Sequence, residues 1–236
     1  MRKFALVALS VAVTAVLMAG VATAKEADKS ADEIAADAAT ALQLAKSVAL
    51  RGSISTGDGR ITLNLVCGHG QGGGVMFING ARFDFVLRAP DVYIKGDRDA
   101  WIELTGQSSI ADLVADRWMK QSASDGSVAS LANLLDLDQM AQSFIESDNP
   151  ITKGTATRFR GMPAISLNDN GDDPGTLYVA AKGAPRPLAI VSTAGKGEIL
   201  FSKYNSAKIP TPPVNAVDLS TQANWQPAGM PLESSG

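Results

Sequence analysis

The sequence predicts an α+β domain in which a strongly curved antiparallel sheet of about ten strands wraps over a helical cap. Three observations carry that expectation. Short apolar runs from Ile151 to Tyr204 are punctuated by turn chemistry at Arg160-Gly161, Asn170-Gly171, Gly183-Ala184-Pro185 and Gly195-Lys196-Gly197. Such punctuation marks antiparallel strands, not strand alternating with helix. A second series of such runs fills Val48 to Gly96. Helical spacing is confined to a stretch before the first series and to an insert between the two. About ten strands are too many for a flat sheet to stay uncurled, so a curved sheet or partial barrel is the economical arrangement.

The chain has 236 residues, the length of one domain or a small pair. Residues 1–24 read as a secretory signal peptide. Arg2 and Lys3 precede an apolar run from Phe4 to Val21, and Ala22-Thr23-Ala24 places small residues at −3 and −1 of a cleavage point before Lys25. The run is long enough to span a bilayer, which makes an uncleaved anchor the alternative. Ser10, Thr14 and Gly20 dilute it and favour cleavage. Losing Arg2 and Lys3 takes the formal charge of −3 down by two, to −5. A mildly acidic mature chain argues against nucleic acid and against polybasic membrane docking. The single cysteine, Cys67, allows no internal disulfide, so the fold must rest on its apolar core.

The domain is expected over residues 25–208. Glu26 to Lys46 reads as a helix in which Ser30-Ala31-Asp32-Glu33 supplies a capping box. Ile34, Ala38, Ala41, Leu42 and Ala45 then form one apolar stripe, small enough to lie close to a sheet. In the following strands Val48, Leu50 and Ile54 alternate with polar neighbours. Asp58-Gly59 turns the chain into a strand where Ile61, Leu63 and Leu65 share a face. Asn79-Gly80 does the same before Phe83, Phe85 and Leu87, and Asp91 to Gly96 adds one more strand. The insert reads as short helices at Arg98 to Leu104 and Ser108 to Asp116, then a longer one from Ser130 to Glu146. The longer one presents Leu131, Leu134, Leu135, Met140 and Phe144 on one face. In the second series Leu177 pairs with Val179 on one face, Leu188 and Ile190 oppose Ala189 and Val191, and Ile199 and Phe201 oppose Glu198, Leu200 and Ser202. Residues 209–236 are Pro-, Ser- and Asn-rich with few core residues and are expected to form a disordered tail, Gln226 to Gly236 above all.

Few motifs carry chemistry. Gly68-His69-Gly70-Gln71-Gly72-Gly73 matches the spaced glycines of a dinucleotide loop, but a strand follows it where a helix is required. A flexible hairpin loop is the better reading. One Cys and one His cannot close a structural zinc site. As a nucleophile and base, Cys67 and His69 lack a third group to orient them. A buried, inert Cys67 and an exposed loop His69 are expected. Asn168 to Asp173 resembles half a calcium loop, but Ala180 stands where the bidentate Glu belongs. No Gly-x-Ser-x-Gly elbow is present. Nothing marks an enzyme, a metal site or a cofactor, and a hydrolase built on Cys67 and His69 is the weakest of the functional readings.

Gly175-Thr176-Leu177-Tyr178-Val179-Ala180, followed by Lys182-Gly183-Ala184-Pro185-Arg186-Pro187-Leu188-Ala189-Ile190, resembles the end of the actinobacterial LppX/LprA/LprF/LprG lipoproteins. These belong to the wider LolA/LolB-like carriers. Val92 to Asp97, Trp101 and Trp118-Met119-Lys120 sit where that family has similar phrases, and the order of elements corresponds from about Ala31 to Tyr204. The resemblance implies a half-open antiparallel β-barrel over helices, holding a lipid or lipopeptide. It departs at the lipobox, because Val21 stands where the acylated Cys should be; a protein exported without a lipid anchor is expected. On this reading the chain is a monomeric carrier of a hydrophobic ligand, with an envelope protein as a possible partner. Leu63, Phe85, Leu134, Met140, Val179, Leu188 and Ile190 would line its cavity, and Trp101 and Trp118 would gate it. The alternative is an interaction or sensor module whose groove is filled by a partner peptide or by its own side chains.

Overall fold

The computed structural model of the protein describes residues 28–56, 59–126, 128–145, 150–169, 171, 174–192 and 197–219. The signal peptide, its cleavage point, Val21, much of the Asn168 to Asp173 stretch and the tail beyond residue 219 lie outside these. Helix α1 (Ala31–Gln43) leads into a five-strand meander of β1 (Val48–Thr56), β2 (Gly59–Gly68), β3 (Gln71–Ile78), β4 (Ala81–Arg88) and β5 (Asp91–Gly96). The insert contains α2 (Arg98–Thr105), α3 (Ser108–Val114), β6 (Met119–Ser122), α4 (Ala129–Leu135) and α5 (Leu137–Ser143). A second meander follows, with β7 (Ile151–Phe159), β8 (Met162–Asp169), β9 (Gly175–Ala180), β10 (Pro187–Ser192) and β11 (Gly197–Ser202), and β12 (Val217–Asp218) closes the described chain.

All strands join one open, curved sheet in the order β12-β6-β5-β4-β3-β2-β1-β11-β10-β9-β8-β7. Its twelve strands exceed the expected ten by β6 and β12. Both are short, and β12 is held by parallel backbone pairing to β6 that leaves no periodicity to read. The meanders meet where β1 pairs with β11. Glycine is required there: a Cβ on Gly52 would stand 1.9 Å from the Glu198 carbonyl oxygen, and one on Gly197 (φ +133°) 1.9 Å from that of Ser53.

The face assignments hold across the seam. Leu65 pairs with Leu50 and Leu50 with Phe201, while Ile199 pairs with Ile190 and Ile190 with Leu177. Side chains alternate across a strand, so these residues form one continuous apolar face. The helices cover it: α2 lies over β4 and β5, α4 over β2 and β3, and α1 over β7 and β10 with α5 beside it. The helical cap expected from the insert is therefore present, although α1 belongs to it as well.

Three expectations need correction. Helix α1 begins at Ala31, after its N-cap Ser30, and ends at Gln43, shorter at both ends than the expected Glu26 to Lys46, although both halves of its capping box form. The helix expected from Ser130 to Glu146 is two, because Asp136 is extended (φ −103°, ψ 121°) and caps α5 by accepting from the Asp138 amide at 2.9 Å. Residues 209–219 carry a defined path: Ile209 and Pro210 lie against Gly68 and Gly73 on the face opposite the helices. Val217 then donates to the Trp118 carbonyl at 2.8 Å, and Leu219 to that of Lys120 at 2.9 Å.

Candidate functional site

The helix-covered face divides into two hydrophobic clusters. The larger gathers Leu50, Leu65, Phe83, Phe85, Trp101, Leu135 and Met140 under α2 to α5. The smaller packs Ile34, Ala35 and Ala38 of α1 on Ile165, Leu167 and Val179. Phe144, the C-cap of α5, packs against both. At this seam lies a cleft of about 210 Å3. Its walls are Ala35, Phe144, Ile151, Leu167, Leu177 and Ile190, with Ser143, Asp169 and Gly175 also lining it. The space exists because α1 presents only alanine here, while the paired row Leu167, Leu177 and Ile190 continues beneath it. The volume falls below the ~300–1,000 Å3 typical of small-molecule sites.

Of the residues expected to line a ligand cavity, Ile190 borders this cleft. Leu63, Phe85 and Met140 are buried in the larger cluster, where Phe85 stacks on Phe83 at 5.8 Å. Leu134 packs on the same cluster. Val179 is wholly buried against Ile165 in the smaller one. Leu188 is the residue inserted by a bulge: Pro187 pairs with Val179 and Ala189 with Tyr178, which leaves Leu188 without an opposite number. Trp101 is buried with its edge on Phe83 at 6.3 Å, and its indole nitrogen has no hydrogen-bond partner among the described residues. Trp118 lies under the Lys95 ammonium, 5.8 Å from the ring centroid. Neither tryptophan borders the cleft. Sequence reasoning missed Ala35, Phe144, Ile151 and Leu167 as lining residues. Leu177 was placed on the correct face by its alternation, the one available signal.

The glycine-rich stretch is more structured than a flexible loop. Gly68, Gly72 and Gly73 belong to strands, and Gly72 carries the Leu135 carbonyl of α4 directly against it. Cys67 is buried, its thiol donating to the Leu134 carbonyl at 3.3 Å, and desolvation pushes its pKa up to about 12. Burial of this kind favours the protonated thiol. His69 is the exposed turn histidine expected, but both of its ring nitrogens have partners. Its Nδ1 lies 3.0 Å from Asp138 Oδ2 and its Nε2 2.9 Å from the Ala45 carbonyl oxygen. The neighbouring Gly70 amide donates to Asp136 Oδ2 at 3.1 Å. The β2–β3 turn thus ties α1 to α5.

Both partners of the His69 ring are acceptors, so only the doubly protonated imidazole satisfies both. The hydrogen bond to Asp138, first, and then the Ala45 carbonyl and the charges of Asp138 and Asp136, raise its pKa against desolvation. A raised folded-state pKa stabilises fully below the unfolded value of about 6.5 and ceases to do so as pH rises through the folded value. The urea midpoint is therefore expected to fall as pH rises from about 6.5, and to lose that slope in His69→Gln. Because the pair is half-exposed, the effect should be small and weaken with salt. Urea titrations at several pH values check it.

An open, curved antiparallel sheet with helices on one face is the LolA/LolB-like class of architecture. No family model matches the sequence, and no curated protein matches it. Among solved structures the fold is shared with LprF from Mycobacterium bovis, at a TM-score of 0.51 and 14% identity over 77% of this chain and 96% of that one. The lipoprotein LppX of Mycobacterium tuberculosis aligns at a TM-score of 0.45 and 14% identity, over 79% and 97% of the two chains. An uncharacterized conserved protein of Thermus thermophilus aligns at 0.42 and 11% identity, over 80% and 97%. The resemblance read from Gly175 to Ile190 is thus a likeness of fold. Among the described residues no helix is long and apolar enough to cross a membrane.

Proposed function

We propose that the protein is an exported, non-enzymatic carrier that holds a lipid or similar hydrophobic ligand in the cleft between α1, α5 and strands β8 to β10. The observation that carries this reading is the gap at the seam, where Leu167, Leu177 and Ile190 of the inner face line a cleft together with Ala35, Phe144 and Ile151. Binding would remove an acyl chain from water, at about 0.8 kcal/mol per CH₂. Ser143 and Asp169 supply the polar groups of the lining. The signal-peptide pattern of residues 1–24 supports export, and Val21 in the lipobox position supports a protein without an acyl anchor.

A fluorescent fatty acyl probe should bind the natively purified protein and raise its melting temperature, since a ligand that binds only the folded state stabilises it. Absence of both effects overturns the carrier reading. The filled larger cluster, with Leu63, Phe85 and Met140 buried, then favours the interaction module, whose groove is occupied by its own side chains.

A further inference from the structure

A second cleft, of about 360 Å3, opens on the other flank of α1. It runs between Ala41 and Leu44 on the helix and the β9–β10 turn at Ala184 and Pro185. Its size is within the usual range for a small-molecule site. Leu44, at the C-cap of α1, is 79% exposed and gives the cleft an unpartnered aliphatic wall. Arg186 stands on the opposite side, its guanidinium 5.0 Å from the Tyr204 ring centroid. Tyr204 is itself fixed, donating its hydroxyl to the Pro187 carbonyl at 2.7 Å. Among the described residues Arg186 has no acidic partner. The cleft's own carboxylate, Asp37, is paired with Lys29. Arg186 therefore sets the net charge of an otherwise largely apolar groove.

We propose that this cleft binds an amphiphile with an anionic head. The head, carboxylate or phosphate, pairs with the Arg186 guanidinium, whose planar fork matches either group. The chain lies along Ala41, Leu44 and Ala184. Stacking on Tyr204 holds the guanidinium in place before the ligand arrives, which lowers the ordering cost of binding. The site is separate from the cleft of the carrier reading and does not rest on it: α1 turns Ala35 toward one and Ala41 and Leu44 toward the other.

Calorimetric titration with dodecanoate, dodecyl phosphate, dodecanol and acetate tests it. The wild-type protein should bind dodecanoate or dodecyl phosphate more tightly than dodecanol, the two arms reporting which head is preferred. Arg186→Gln should weaken the anionic ligands about tenfold or more and leave dodecanol unchanged, since a charge-assisted hydrogen bond is lost. Leu44→Glu, at an exposed position that spares the fold, should weaken them too, and in a Leu177→Trp background, which closes the first cleft, an Arg186-dependent share of the anionic binding should remain. Unchanged affinity in Arg186→Gln overturns the inference. So does acetate competing at the same concentration, which would mean a plain anion site. Loss of dodecanoate in Leu177→Trp alone would leave the carrier cleft standing and remove this one. No binding by the wild-type protein would remove both.

Discussion

Leu177→Trp is expected to abolish uptake of a fluorescent acyl probe while leaving the protein folded. Leu177 is half-buried and lines the seam cleft between Leu167 and Ile190. An indole there enters the empty space that the ligand would otherwise use. Its neighbour provides the control. Val179, two residues on and on the same face, is wholly buried against Ile165, so Val179→Trp must displace packed atoms. That overpacking should cost about 1–3 kcal/mol, whereas the cleft variant should keep its melting temperature within a few degrees. Probe titration and thermal melts on the two variants decide the matter. Equal destabilisation with retained uptake would show that the seam is not where the ligand sits.

Phe83→Ala should be the most damaging single truncation, at about 3–5 kcal/mol. Phe83 is 2% exposed, stacks on Phe85 and receives the edge of Trp101. Its ring also lies against Gly96, where a Cβ would come within 3.2 Å of it. Removing it leaves a cavity between β4 and α2 that Gly96, having no side chain, cannot fill. For a domain of this size the loss corresponds to a fall in melting temperature of roughly 6–20 °C. A denaturant or thermal melt measures it. A loss below about 1 kcal/mol would mean that the insert helices collapse freely onto the sheet and that the larger cluster is less close-packed than the structure shows.

The local rules determined a good deal of this protein. Period-two alternation assigned Leu63, Phe83, Phe85, Leu177 and Ile199 to one face before any pairing was known, because side-chain direction in a strand depends only on the backbone. The Ser30 to Glu33 capping box was legible for an equally local reason, although the helix it caps starts at Ala31 and not at Glu26. The turn at Asn79-Gly80 was legible because few residue types take the positive φ it needs. The tertiary structure decided which part of that face is closed and which is left open. Leu63 and Leu177 look alike in sequence, yet one meets Met76 and the other meets a gap beside Ala35. Burial of that kind depends on which helix arrives from a distant part of the chain, and periodicity carries no record of it. The bulge at Leu188, the break at Asp136 and the partners of His69, 24 and 69 residues away, were decided in the same way. Each follows from strand register or from backbone groups that must find acceptors, and those choices are made between elements.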